Sequence, residues 1–336
     1  AMGGDHAPVE IVKGAVDAVK ELGVNIKLVG PEDVVKAELA KYTFDQSRIE
    51  VIHAPTVIGT DEVPTMAIRR KKDSSMVVAL NMLKNGEGDA VVSAGSTGAL
   101  LTGATLIVKR VKGIRRAAMG PVMPNKAGGK TVILDCGANA ECTAEFLLQF
   151  ALVGSLYAKS YLGVENPKVG LLNIGAEESK GTPLQKETYE LLKQAGEKGL
   201  INFVGNAEAR DVPLGMVDVV VCDGFSGNVL LKSIEGTAMF MGSLMKHKIF
   251  KRSFLSKIGY LFCKPGVDEV MGMLDYRTIG GTQFLGISKP VIKAHGASDA
   301  LAFRNAVRQA MEASQTDFSA ELEKGLAALT EKEPTE

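Results

Sequence analysis

The sequence predicts an α/β fold: a mainly parallel sheet with helices on both faces. Three observations carry that expectation. Short apolar runs alternate with amphipathic stretches along most of the chain. The runs are mostly apolar, as strands of a sheet covered on both faces are. Polar, glycine-rich segments follow them, at the strand ends where parallel sheets place their ligand loops. With 336 residues, 46% of them hydrophobic, the chain can bury a large core, and the span 1–336 reads as a single unit.

The elements follow in order. "AMGGDHAP" opens the chain as a loop, and a short strand ahead of it is expected to be missing from this sequence. Pro8 suits the first turn of a helix. In "IVKGAVDAVKEL", Ile11, Ala15, Ala18 and Leu22 share one face, and "IKLVG" follows as a strand. "IEVIHA", "DAVVSAG", "TVILDCG", "KVGLLNIG" and "VDVVVCDG" repeat the strand signal, each with a turn and most with a helical stretch after it. A helical excursion is expected over 235–275. Within it, "KHKIFKRSFLSKIGYLFCK" carries six Lys/Arg and no acid, with Phe250, Phe254, Ile258, Leu261 and Phe262 on one side at helical spacing. The acidic end reads as a last helix fraying into a tail at 331–336.

Composition excludes several classes. Lys+Arg and Asp+Glu are both 39, so no global basic field points to nucleic acid. Cys136, Cys142, Cys222 and Cys263 form no C-x-x-C pair, and no histidine pair has zinc spacing, so no metal is expected and the thiols read as reduced, in a cytosolic protein. No apolar run reaches the roughly 18 residues that span a bilayer, and no secretory leader is recognisable.

Chemistry is expected at five loops. In "SAGSTGA", Gly95 and Gly98 permit close backbone approach while Ser96 and Thr97 offer hydroxyls beside free N–H groups, either to hold an anion or as a plain capped turn. The loop lacks the lysine of a nucleotide P-loop. "AMGGDHAP" adds Gly3, Gly4, Asp5 and His6 at another helix start. "DCGAN" offers Asp135 and Asn139, as ligands or as a self-bonded turn. Lys180 in "EESKGT" precedes a helix opening at Thr182 and Pro183, and reads either as a surface lysine or as a charge for an oxyanion. Asn228 closes "DGFSGN", as a ligand or as the cap of "VLLKSIEGTAMFMG". His295 reads as a packed or capping histidine with no base role.

"AMGGDHAP", "RRKKDSSM", "SAGSTGAL", "LDCGAN", "LLNIGAEESKG", "GNAEARD", "DGFSGNVLLK" and "KPVIKAHGASD", in this order, resemble the PlsX phosphate acyltransferases of bacterial phospholipid synthesis, from Ala1 to about Ala310. The resemblance implies a fold similar to the isocitrate and isopropylmalate dehydrogenases. It implies a reaction of acyl-(acyl carrier protein) with inorganic phosphate that gives acyl phosphate and free carrier, without cofactor or covalent enzyme intermediate. It further implies a cytoplasmic homodimer with peripheral membrane contact, supplying a membrane glycerol-3-phosphate acyltransferase. Family motifs match at Lys180 and Asn228, which are expected to stabilise charge and orient the reacting groups; the Gly95–Gly98 turn is expected to hold the phosphate. For the acidic carrier, Arg69, Arg70, Lys71 and Lys72 are expected to dock, the 246–264 segment being a second option. Phe254, Leu255 and Ile258 are expected at the membrane surface, with dimer packing as the alternative. The competing readings are a coenzyme A-dependent phosphate acyltransferase, a decarboxylating dehydrogenase and a non-enzymatic scaffold.

Overall fold

The computed structural model describes residues 1–250, 252–273 and 275–330. Thirteen α-helices and eleven strands alternate along it. The strands are β1 (Ile26–Gly30), β2 (Ile49–His53), β3 (Val91–Ser93), β4 (Ala118–Met119), β5 (Val122–Pro124), β6 (Lys130–Leu134), β7 (Lys168–Leu172), β8 (Asn202–Ala207), β9 (Val219–Val221), β10 (Gly281–Leu285) and β11 (Val291–Ala294). The helices are α1 (Val9–Leu22), α2 (Glu32–Leu39), α3 (Pro64–Arg70), α4 (Ser75–Asn85), α5 (Thr97–Gly103), α6 (Ala144–Leu162), α7 (Pro183–Glu197), α8 (Asp211–Leu214), α9 (Gly224–Leu244), α10 (Phe254–Met273), α11 (Tyr276–Ile279), α12 (Ala300–Ser314) and α13 (Phe318–Thr330).

Three ladders result: β1-β2, β3-β11-β10-β4 and β5-β6-β9-β7-β8. All pairings are parallel except β10-β11, β10-β4 and β5-β6. The class is therefore mixed α/β with mostly parallel strands, as expected, but with an antiparallel centre that the apolar runs did not reveal. The second and third ladders meet in one segment. Residues 118–119 pair with β10, residues 122–124 pair with β6, and between them Gly120 N–H donates to Gln283 O at 3.5 Å while Ile133 N–H donates to Pro121 O at 3.1 Å. Because this segment is antiparallel to β6 but runs with β3 and β11, strand direction reverses across the middle of the sheet.

Two cores follow from the reversal. On one side, Phe284 and Val291 pack beneath Ala99, Leu100 and Ala104, and on the opposite face Ile292 and Ala294 meet Ile11 and Phe303. On the other side, α6, whose sequence is apolar nearly all round, is buried against Val132, Leu134 and Val219, with α13 outside it through Phe318 and Leu322. A cavity of about 700 Å3 lies between β1 and β3, lined by Ile26–Val29 and Ala90–Ala94; Ala1 closes one end by donating its N–H to Val29 O at 2.8 Å.

The excursion is helical. α9 runs into a π-helical stretch, Met245–Phe250, and α10 returns so that Met271 lies against Gly242. Phe254 and Leu255 are 78% and 79% exposed, and Leu261 and Phe262 are exposed as well. No helix among the described residues is long and apolar enough to cross a membrane. Lys251 and the 331–336 tail lie outside the described residues.

Candidate active site

The strand reversal splits the five glycine-rich loops into two groups. Tips of β3 and β11 emerge at one edge of the sheet, and those of β6, β7 and β9 at the other. The expectation of five loops on one common edge is corrected here: their strands do not all point the same way.

The first group joins the opening loop, the turn after β3 and the turn after β11. A β-carbon on Gly3 would lie 2.5 Å from Gly95 N, so only glycine lets these two backbones touch. Asp5 N–H donates to Gly296 O at 2.8 Å, and Glu10 Oε2 accepts from Ala300 N at 2.8 Å, which locks α1 to α12. Asp5 and His6 are exposed. Ser96 caps α5, its Oγ accepting from Ala99 N at 3.4 Å, and Gly98 sits against Pro64 of α3, where a β-carbon would be 2.9 Å from Cγ. His295 accepts from Ala297 N–H through Nδ1 at 3.2 Å and shapes its own turn. Burial and the nearby cations Lys232 and Lys293 push its pKa down.

The second group joins the turns after β6, β7 and β9. Asp135 is fully buried, and its carboxylate accepts from Met119 N (2.8 Å), Ala138 N (3.3 Å), Asn139 N (2.6 Å) and Asn139 Nδ2 (2.9 Å). Burial holds its pKa above the usual carboxylate value, and these donors oppose that rise only in part. Both residues are thus engaged in building their own loop, and Asn139 also reaches Ala117 O at 2.9 Å. Lys180 is exposed on a loop braced by Asn173 Nδ2, which donates to Lys180 O at 3.2 Å; Thr182 and Gln185 form the capping box that starts α7.

Asn228 is not a cap. Asp223 is, accepting from Ser226 N at 2.8 Å, and α9 begins at Gly224, which places Asn228 on its second turn, exposed and facing Gly137. Gly224 and Gly227, one turn apart, allow α9 to press on the 135–139 loop: a β-carbon on Gly224 would be 2.6 Å from Asn139 O, and one on Gly227 closer still to Asp135 O.

α9 also joins the two groups. Eight residues separate Gly224 from Lys232, a rise of about 12 Å, and Lys232, paired with Glu235 at 2.7 Å, acts electrostatically on His295. Cross-strand partners share a face. Lys293 is opposite Thr282, and Phe284 is opposite Met119, so all four lie on the face covered by α5 on one side and α9 on the other. Met119 packs there against the cluster of Ala99, Leu100 and Phe284 and against a second cluster, of Ile133, Val220 and Leu230 beneath α9. This face therefore carries Lys293, with α5 and its Gly95–Gly98 turn on one side of the sheet and α9 on the other.

Sequence reasoning missed Lys293. Its side chain is 8% exposed, and Nζ donates to Ala94 O at 3.2 Å and to Ala294 O. Burial lowers its pKa to about 8, with Asp5 opposing the change. A lysine inside the otherwise apolar "PVIKA" was the available signal. Of the basic residues after β2, Lys71 is tied to Glu62 at 2.7 Å and to Val57 O at 3.0 Å, whereas Arg69, Arg70 and Lys72 are exposed beside α5. Among the described residues no cluster of His, Cys, Asp or Glu could hold a metal ion.

Comparisons with known proteins agree with this architecture. A family profile described as "Fatty acid synthesis protein" matches residues 1–321. The chain is 48% identical over 329 residues to a phosphate acyltransferase of Clostridium acetobutylicum, covering 98% of each chain, and 50% identical over 311 residues to one of Clostridium novyi, covering 92% of each. Among solved structures, a phosphotransacetylase from Streptococcus pyogenes superposes with TM-score 0.59 at 21% identity, over 93% of this chain and 91% of that one. A provisionally assigned 4-hydroxythreonine-4-phosphate dehydrogenase from Salmonella typhimurium gives 0.53 at 14% identity, over 90% and 94%. These two likenesses concern the fold.

Proposed function

The chain belongs to the PlsX family of phosphate acyltransferases, and we propose that its acyl donor is an acyl-(acyl carrier protein) and its acceptor free orthophosphate. It is an enzyme, a phosphate acyltransferase of fatty acid and phospholipid synthesis. The fold kinship that fits its neighbours is that of the isocitrate and isopropylmalate dehydrogenases.

In this reading, orthophosphate sits at the Gly95–Gly98 turn, within reach of Ser96 and Thr97, with the Gly3–His6 loop alongside. One of its oxygens attacks the thioester carbonyl carbon. The C=O electron pair moves onto oxygen, then returns as the C–S bond breaks, giving acyl phosphate and carrier thiolate, which takes a proton from water. Phosphate is already an oxyanion, so no protein nucleophile and no covalent enzyme intermediate are required. What the protein supplies is alignment and stabilisation of the transient oxyanion. Asn228, on α9, and Lys180, on the loop after β7, are assigned those roles, with the acyl group spanning from the first loop group to the second. Asp135 and Asn139 act by fixing the loop on which α9 rests.

The single observation that carries this reading is the Gly3–Gly95 approach, which brings two glycine turns into backbone contact at the start of α5 with no side chain between them; Gly95 N–H itself donates to Ser93 Oγ at 3.2 Å, which leaves the following amides of the turn for an anion. Arg69, Arg70 and Lys72, on and just beyond the helix against α5, suit an acidic carrier; Lys71 is neutralised by Glu62. Exposed Phe254 and Leu255, with Ile258, suit contact with a membrane surface, and the apolar flanks of α9 and α10 suit a second copy of the chain. We place the enzyme in the cytoplasm, peripherally on the membrane, where a glycerol-3-phosphate acyltransferase consumes its product.

The test is donor consumption with and without phosphate, with mass detection of acyl phosphate, run in parallel on acyl carrier and acyl coenzyme A. Phosphate-dependent turnover of the carrier thioester is expected. Turnover of the coenzyme A thioester alone would assign the enzyme to the rival donor.

A further inference from the structure

We propose that Lys293 is a further positioning residue of this reaction, the buried cation against which phosphate at the Gly95–Gly98 turn is held. The inference rests on the phosphate reading above and deepens it. The ammonium bonds the carbonyls of Ala94 and Ala294, the last residues before the Gly95 and His295 turns, so it fixes the ends of two adjacent strands at the base of the first loop group.

Tying strand ends together does not call for a charge. Two donors on a neutral amide would serve, whereas an ammonium taken out of water costs free energy unless an anion compensates it. Among the described residues no carboxylate forms an ion pair with Lys293; Asp5 acts on it at longer range from the opening loop. On the facing helix, Glu235 is already bound to Lys232 at 2.7 Å, and the neighbouring His295 is itself disfavoured as a cation. The positive charge is therefore under-compensated, and its ammonium is bonded to Ala94 O, one residue before the Gly95–Gly98 turn. A bound phosphate supplies the missing charge, and hydrogen bonds to charged partners contribute more than neutral ones.

The experiment compares the full-length enzyme with Lys293→Met and Lys293→Arg, measuring KM for phosphate, KM for the acyl donor and the rise in melting temperature on adding inorganic phosphate. For Lys293→Met the phosphate KM should rise about tenfold or more, the donor KM should stay within about twofold, and the phosphate-induced thermal shift should vanish; Lys293→Arg should keep part of that shift. A purely structural role would instead damage Met and Arg variants alike without singling out phosphate. A phosphate KM within about twofold of wild type in Lys293→Met overturns the proposal. If that variant does not fold, Lys293→Gln, which keeps donors without charge, is held to the same criteria. Absence of any phosphate dependence in the wild type would instead remove the phosphate reading itself.

Discussion

Replacing Gly224 by alanine tests whether the seating of α9 governs the chemistry. The added β-carbon would stand 2.6 Å from Asn139 O and 2.8 Å from Asp135 Oδ2, about 0.8 Å short of ordinary contact at 3.4 Å with the carbonyl. Neither neighbour can yield cheaply: one is backbone, and the other carboxylate is held by four hydrogen bonds. The first turn of α9 must move instead. Overpacking of this kind costs about 1–3 kcal/mol, and a displacement near 1 Å at a reacting geometry can cost about a hundredfold in rate. We expect Gly224→Ala to fold with stability lowered by that amount and acyl-phosphate formation reduced by roughly thirty- to a hundredfold. Chemical denaturation and a phosphate-dependent turnover assay read the two effects. Gly236→Ala is the control on the same helix, with no described atom within 4 Å of the new β-carbon; it should be neutral or stabilising by up to about 1 kcal/mol. Wild-type turnover in a destabilised Gly224→Ala would refute the coupling of α9 to catalysis, and unchanged stability would refute the packing argument.

Four further outcomes are expected. Lys180→Ala and Asn228→Ala should unfold at the wild-type denaturant midpoint yet lose about a hundred- to a thousandfold in turnover; near-normal rates in both would remove them from the mechanism. Carrier KM should climb steeply with salt and should respond to Arg69→Ala or Arg70→Ala more than to Lys71→Ala, whose charge is already neutralised; salt-independent binding would count against basic docking. Phe254→Asp and Leu255→Asp should weaken sedimentation with anionic lipid vesicles, and unchanged sedimentation would defeat the membrane assignment. Lys293, with its pKa lowered to about 8, is protonated in both states below that pH and carries a burial penalty of roughly 3 kcal/mol there. Between about pH 8 and 10 the unfolded chain binds the extra proton, so stability relative to Lys293→Met should rise by about 1.4 kcal/mol per pH unit; a flat difference would show that the amine is not desolvated.

Much of the fold was legible because six strands are short, mostly apolar runs, from "IKLVG" to "VDVVVCDG", of which β6, β7 and β9 are buried on both faces. Five strands escaped: the parallel β8 and β11, and the three that reverse the sheet. β4 and β5 span two and three residues with Gly120 and Pro121 between them, and β10, "GTQFL", holds only two residues out of contact with solvent. Such segments resemble turns, and without them the five loops looked like one ring. The start of α9 was hidden for a related reason: the glycines of "DGFSG" read as a loop, whereas they are helical positions that close packing forbids any side chain to occupy. Asp135 and Asn139 carried both a ligand and a turn reading, and the hydrogen bonds show how the turn is made. Lys293 could have been marked from sequence, since a charge within a buried strand requires an explanation.

The most direct test of the account is a single-turnover mixture of enzyme and stoichiometric acyl-(acyl carrier protein), prepared free of phosphate and monitored for carrier thiol. Attack by bound phosphate predicts no thiol release until orthophosphate is added, then one thiol and one acyl phosphate per donor. A burst of thiol in the absence of phosphate, with the acyl group retained on the protein, would contradict it.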